Sequence, residues 1–223
     1  MKLEILPIKT KKFLPPKDDF YAELKHLPHL KAGDVLVIAS KVLAIHQGRT
    51  VKVSNAQKKV LIEKEADYSL PMNKLKGSEI VLTIKDNTLI PSAGIDESNG
   101  QGHYILWPKK VSQEAKKIAR YLKQRNQIKK LGIIIADSHT TPLRWGTQGI
   151  SLGFFGFNPL KDYRGAKDIF GKKLKYTQSN IVDSLANLGV LVMGEGKEQT
   201  PMVVIRGFTG LKFTSVDISF KVF

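Results

Sequence analysis

The chain predicts an α+β fold built on a mixed sheet, and three observations carry that expectation. The runs 35–39 and 131–136 are short, continuous and apolar, as strands buried on both faces are. Residues 112–126 instead place Ala115, Ile118, Ala119 and Leu122 at helical spacing. Strand-like and helix-like segments follow one another irregularly, which argues against a regular doubly wound sheet. The expected unit spans residues 1–223, in one or two lobes, with no internal repeat and no low-complexity linker.

Taken in order, Leu6, Pro7 and Ile8 open an extended segment, and Pro15-Pro16 interrupts it. A helix is expected over 17–27, with Phe20, Leu24 and Leu27 on one face. Gly33-Asp34 reads as a turn into the strand 35–39, which runs on through Ser40-Lys41 and an apolar stretch to Gly48. Residues 63–68 read as helical, 80–84 as a strand before an Asp86-Asn87 turn, and 104–107 as a strand stopped by Pro108. Beyond the 112–126 helix, strands are expected over 131–136 and 150–157. A helix over 179–188 is expected to end at Gly189, followed by strands over 190–193, 202–205 and, at an edge, 216–220.

The chain has 223 residues and no cysteine, so disulfides, zinc-thiolate sites and cysteine nucleophiles are excluded. No apolar run approaches the roughly 20 residues that span a bilayer, and a cytoplasmic location is the expectation. The formal net charge of +16 favours anionic partners: nucleic acid, nucleotides, or polycarboxylates. The 112–126 helix carries Lys116, Lys117, Arg120, Lys123 and Arg125 on its outer face, so a basic, non-enzymatic nucleic-acid-binding protein is the alternative reading. The segment lacks the aromatic interleaving that single-strand binders use for base stacking.

Phosphate and hydrolase motifs are absent. Residues 165–173, GAKDIFGKK, have one residue too many between the glycines, and Lys173 where a phosphate-binding loop needs Ser or Thr. Asp137-Ser138-His139 matches a hydrolytic triad in composition only, and the five histidines show no metal spacing. Two acidic residues stand out, because Asp96 and Asp137 each end an apolar run amid Gly, Ser, Thr and Asn. Such carboxylates either close turns or offer hard oxygen ligands to a cation that carries phosphate.

The segments AGIDESN, IADSHTTPLRWG, PLKDYRG with its following D-x-x-G, and VLVMGEGKEQT together resemble the coenzyme F420-0:L-glutamate ligase family, with LPIKT and VLVIASKVLAIHQGR fitting the same pattern. The resemblance runs from Leu6 to about Phe208 and includes relatives described as folate-metabolism γ-glutamate ligases. It implies GTP-dependent amide formation between L-glutamate and a carboxylate of an anionic deazaflavin or pterin-type acceptor, through an acyl phosphate. It also implies two Mg²⁺ or Mn²⁺ ions per subunit, K⁺ as a further ion, and an intertwined homodimer, with neither membrane nor nucleic acid as a partner.

By resemblance, Asp96, Asp137, Ser138 and Glu195 are the metal-linked positions, and Asn99 contacts nucleotide. Leu6, Pro7, Ile8, Lys9, Ser40 and Lys41, with Met193, Gly194, Glu195, Gly196, Lys197 and Thr200, match segments around the nucleotide. Arg144 and Arg164 are added as clamps for phosphate or carboxylate, because a guanidinium fork suits both. Three departures from the family pattern stand near these positions. Ile45 replaces a lysine, Trp145 lies past Arg144 with Leu143 in the usual tryptophan place, and Gly100-Gln101-Gly102 follows the Asp96 motif.

Overall fold

The computed structural model describes residues 2–70, 80–216 and 218. In chain order the elements are β1 (Glu4–Ile8), α1 (Phe20–Leu24), β2 (Asp34–Ala39), α2 (Ser40–His46), β3 (Thr50–Lys52) and α3 (Lys58–Glu65). Then come β4 (Tyr68–Ser69), β5 (Leu82–Lys85), β6 (Thr88–Pro91), β7 (His103–Ile105), α4 (Val111–Asn126), β8 (Leu131–Thr140) and β9 (Thr147–Phe155). The last are β10 (Leu160–Asp162), β11 (Gln178–Asn180), α5 (Ile181–Met193) and β12 (Met202–Arg206).

The main sheet has the order β1-β12-β2-β8-β9, with β2 and β8 parallel and the other neighbours antiparallel. It is covered on both faces. Leu36, Ile38, Ile133 and Ile135 pack with α1, α2 and the apolar stripe of α4, while Val35, Val37, Ile134 and Val203 pack against α5. This two-sided burial is why β2 and the first half of β8 read as unbroken apolar runs. A smaller cluster of Ile62, Ala93, Ile95, Tyr104 and Leu106 sits beside it, near the β3-β7 and β4-β5-β6 sheets. The mixed α+β architecture is as the sequence predicts.

Several elements depart from expectation. Residues 190–193 continue α5 and form no strand, and Gly189 does not end the helix. A Cβ at Gly189 would lie 2.6 Å from Val37 Cγ1, so this glycine lets the helix approach the sheet. The expected helix over 63–68 starts earlier, at Lys58, and stops at Glu65, leaving Tyr68 to pair with Ile84. The first helix shrinks to Phe20–Leu24 because Asp19 caps it, its side chain accepting from Tyr21 N at 2.9 Å. Leu27 is buried outside it. The stretch after Ala39 is α2, and Asp96 follows a short 3₁₀ turn over Ser92–Gly94 where a strand end was expected. The edge strand expected over 216–220 lies mostly outside the described residues. Among the described residues no helix is long and apolar enough to cross a membrane.

Candidate active site

The parallel pair β2 and β8 ends at Ala39 and Ala136, and the chain diverges there. A crevice outside the carboxyl ends of parallel strands is the usual ligand position in such sheets. Here it holds a cavity of about 570 Å³. Five segments wall it: residues 10–14 after β1, the start of α2, the 96–101 loop, Asp137-Ser138 of β8, and the end of α5 with the 194–201 loop.

Strand alternation sorts the two β8 side chains. Asp137 shares the parity of Ile133 and Ile135 and faces α2, while Ser138 shares that of Ile134 and Ala136 and faces the end of α5. Accordingly Ser40 Oγ donates to Asp137 Oδ1 at 3.1 Å, and Ser138 Oγ donates to Glu195 Oε2 at 3.1 Å. The β8-β9 register shifts between Ile135 and Ala136, immediately before this point. The extra residue, Leu152, lies on β9, so alternation along β8 continues unbroken to Asp137 and Ser138. The indole of Trp107 donates to Asp137 Oδ2 at 2.5 Å.

Asp96 lies across the cavity. Its Oδ1 accepts from Ser98 N at 2.8 Å, its Oδ2 accepts from Ser98 Oγ at 2.7 Å, and Lys41 Nζ stands 2.6 Å from Oδ2. It is therefore a turn carboxylate and a cavity carboxylate at once. Asn99 Nδ2 donates to Gly196 O at 3.1 Å and so ties this loop to the 194–201 segment. That segment folds tightly: Gly194 has φ +76° and Thr200 Oγ1 donates to Met193 O at 2.9 Å. A Cβ at Gly194 would lie 2.4 Å from Glu198 Cδ.

The two carboxylates differ electrostatically. Burial pushes Asp137 up to about 6, against the pull of the Trp107 and Ser40 hydrogen bonds and the Lys41 charge. Burial would also raise Asp96, but the Lys41 ammonium and the Ser98 hydrogen bonds outweigh it and hold Asp96 below the ordinary range. Among the described residues no three His, Asp or Glu side chains form a ready cluster for a metal ion. Lys41 supplies the positive charge beside Asp96, while Glu195 is bonded to Ser138.

Of the positions singled out in the sequence, Lys41, Asp96, Asn99, Asp137, Ser138 and the run from Met193 to Thr200 all border this one cavity. Ser40 is buried and reaches it through Asp137. Leu6, Pro7 and Ile8 form β1, with Lys9 just after it, and the lining begins at Thr10. Arg144 is at the tip of the β8-β9 hairpin, and Arg164 forks onto Asp162 in an exposed arm, at 2.7 Å from Nη2 to Oδ2. Neither arginine lines the cavity. Sequence reasoning missed residues 10–14, Gln101 and Trp107. The basic run Lys9 to Lys12 was a usable signal for the first group. Trp107 carried none, because its contact with Asp137 spans 30 residues.

A model of the F420-0:gamma-glutamyl ligase family matches residues 13–207. This chain belongs to that family. Relatives named coenzyme F420:L-glutamate ligase include that of Methanosarcina barkeri, at 31% identity over 93% of this chain and 87% of the relative. Those of Methanocaldococcus jannaschii and Methanococcus maripaludis strain C7 are 29% and 32% identical, each over 92% of this chain and 88% of the relative. Membership of the F420-0:gamma-glutamyl ligase family makes the chain an enzyme of the ligase class. The alternative of a non-enzymatic nucleic-acid-binding protein finds no support in it.

Proposed function

We propose that the chain joins L-glutamate to a carboxylate of a deazaflavin-type acceptor, spending GTP, in the cavity at the end of β2 and β8. The observation that carries this reading is the meeting of Asp96, Asp137, Ser138 and Glu195, from three distant segments, on one cavity that also holds Lys41 and Lys197. The donor set is all oxygen, which suits Mg²⁺ or Mn²⁺. Asp96 and Asp137 with Ser138 and Glu195 would hold such ions. When bound there, such ions would supply positive charge to offset that on the transferred phosphoryl group.

The chain's own groups do the rest. Lys41 and Lys197 give the cavity positive charge for phosphate, and the turn at Gly194 to Gly196 lets backbone come close to it. Transfer of the γ-phosphoryl group to the acceptor carboxylate yields an acyl phosphate. The glutamate amine then attacks the acyl carbon, the amide bond forms, and phosphate departs. Ile45, buried beside Val42 where the family pattern has lysine, makes this wall apolar.

The test is GDP release with Mn²⁺ across deazaflavin and pterin-type acceptors, with and without glutamate. Glutamate-stimulated turnover with a deazaflavin acceptor is the expected result, and no stimulation with any acceptor refutes the reading. The same reading includes a homodimer. Ile169, Phe170 and Tyr176 project from the 160–180 arm, and Leu143 and Trp145 from the hairpin tip, each at least 87% exposed. Contiguous exposed apolar surface marks association sites, and this reading places the partner subunit against these two tips. Light scattering should give twice the chain mass, and Phe170→Asp should halve it.

A further inference from the structure

Trp107 belongs to neither family motif nor the wall of the active-site cavity, yet it holds the innermost carboxylate of the site. It is 4% exposed and follows β7, outside every segment that the sequence marks as functional. Its Nε1 is 2.5 Å from Asp137 Oδ2, while Ser40 takes the other carboxylate oxygen. The ring is backed closely on one side. Gly94 backs it so closely that a Cβ there would lie 2.2 Å from Nε1. The Trp107 carbonyl oxygen accepts from Arg49 Nε at 3.0 Å, and Arg49 is anchored in turn by Glu65 at 2.6 Å. Trp107 also borders a second cavity of about 440 Å³, where Arg49 and Lys85 are both paired with Glu65.

An indole N–H is a donor only and cannot ligate a cation. Its partner oxygen is left with one lone-pair direction committed to Trp107, so the carboxylate plane and its remaining lone pairs are oriented by the ring. We infer that Trp107 is a positioning residue that fixes the Asp137 carboxylate in the orientation needed to receive a divalent cation. The inference rests on the proposed assignment of Asp137 as a cation ligand. Groups that orient ligands from behind typically account for about 10–100-fold in metal affinity or activity.

The test is Trp107→Phe, which keeps an aromatic ring and removes the donor, measured in the full-length protein beside Asp137→Asn. Mn²⁺ binding is read by electron paramagnetic resonance without turnover, and kcat and the KM for GTP are read separately. The expected result is a loss of about 10–100-fold in Mn²⁺ affinity or kcat, with the KM for GTP within about twofold. In the Asp137→Asn background, Trp107→Phe should have no further effect on Mn²⁺. If Asp137→Asn abolishes Mn²⁺ binding while Trp107→Phe leaves affinity and kcat unchanged, the positioning role is wrong and the ligand assignment stands. If Asp137→Asn leaves Mn²⁺ binding intact, the ligand assignment fails and the inference with it. Should Trp107→Phe not fold, benzothienylalanine at position 107 keeps the shape and lacks only the N–H, and the same readings decide.

Discussion

The two ends of the β2-β8 pair treat a carboxylate in opposite ways. At the amino end, Asp34 is 1% exposed and is met by a full counter-charge. Arg206 forks onto it, with Nε 2.9 Å from Oδ1 and Nη2 2.7 Å from Oδ2, and Lys31 N adds a third bond at 2.8 Å. At the carboxyl end, Asp137 receives only the neutral donors Trp107 and Ser40. Asp137 is half-buried, its desolvation is only partly offset by these bonds and the nearby Lys41 charge, and its pKa rises to about 6. A saturated carboxylate holds a fold together. One left short of positive charge costs stability when ionised and is ready to accept a cation.

The largest effect expected from this contrast is on activity. Asp137→Asn should lower turnover by more than about 100-fold, since even groups that merely orient a ligand account for up to that much. Arg206→Met should leave turnover per folded molecule near its original value. Comparable losses in both variants would show that the two ends are not functionally distinct.

Stability should follow the opposite order. Removing Arg206 strands a buried charge on Asp34, and losses of about 3–5 kcal/mol are typical of such breaks. Urea unfolding of Arg206→Met measures this directly, and a loss below about 1 kcal/mol would mean that Asp34 finds water or another partner.

The smallest effect is a pH dependence in the metal-free protein. The folded pKa of Asp137 lies above its ordinary value of 3.8, so the fold favours the protonated acid. Its contribution to stability is fully present below pH 3.8 and is lost as pH rises through about 6. Asp137→Asn, which cannot ionise, should therefore melt higher than the parent at pH 8, with the gap closing toward pH 4. A gap independent of pH would locate the stabilisation elsewhere.

Much of the frame is visible in residue order. The apolar stripe of α4 and the continuous runs of β2 and β8 are legible because burial imposes a period on side chains, 3.6 in a helix and none in a strand covered on both faces. The end of α5 is not legible that way. Gly189 has the local signature of a stop, yet tertiary contact with Val37 turns it into a point of close packing. Likewise Asp96 and Glu195 are identifiable from their motifs, whereas residues 10–14 take their place in the wall only because β1 pairs with β12.

Residue types and their spacing were enough to specify the α+β class, the family and most of the acidic positions, because these are local properties of composition and pattern. Which of those positions share a cavity came from the parallel β2-β8 pairing and the packing around its carboxyl end, as did the choice of Trp107 as the partner of Asp137. Those contacts join residues 30 or more apart in the chain. Proximity of that kind is set by packing a whole sheet between helices, and no local pattern encodes it.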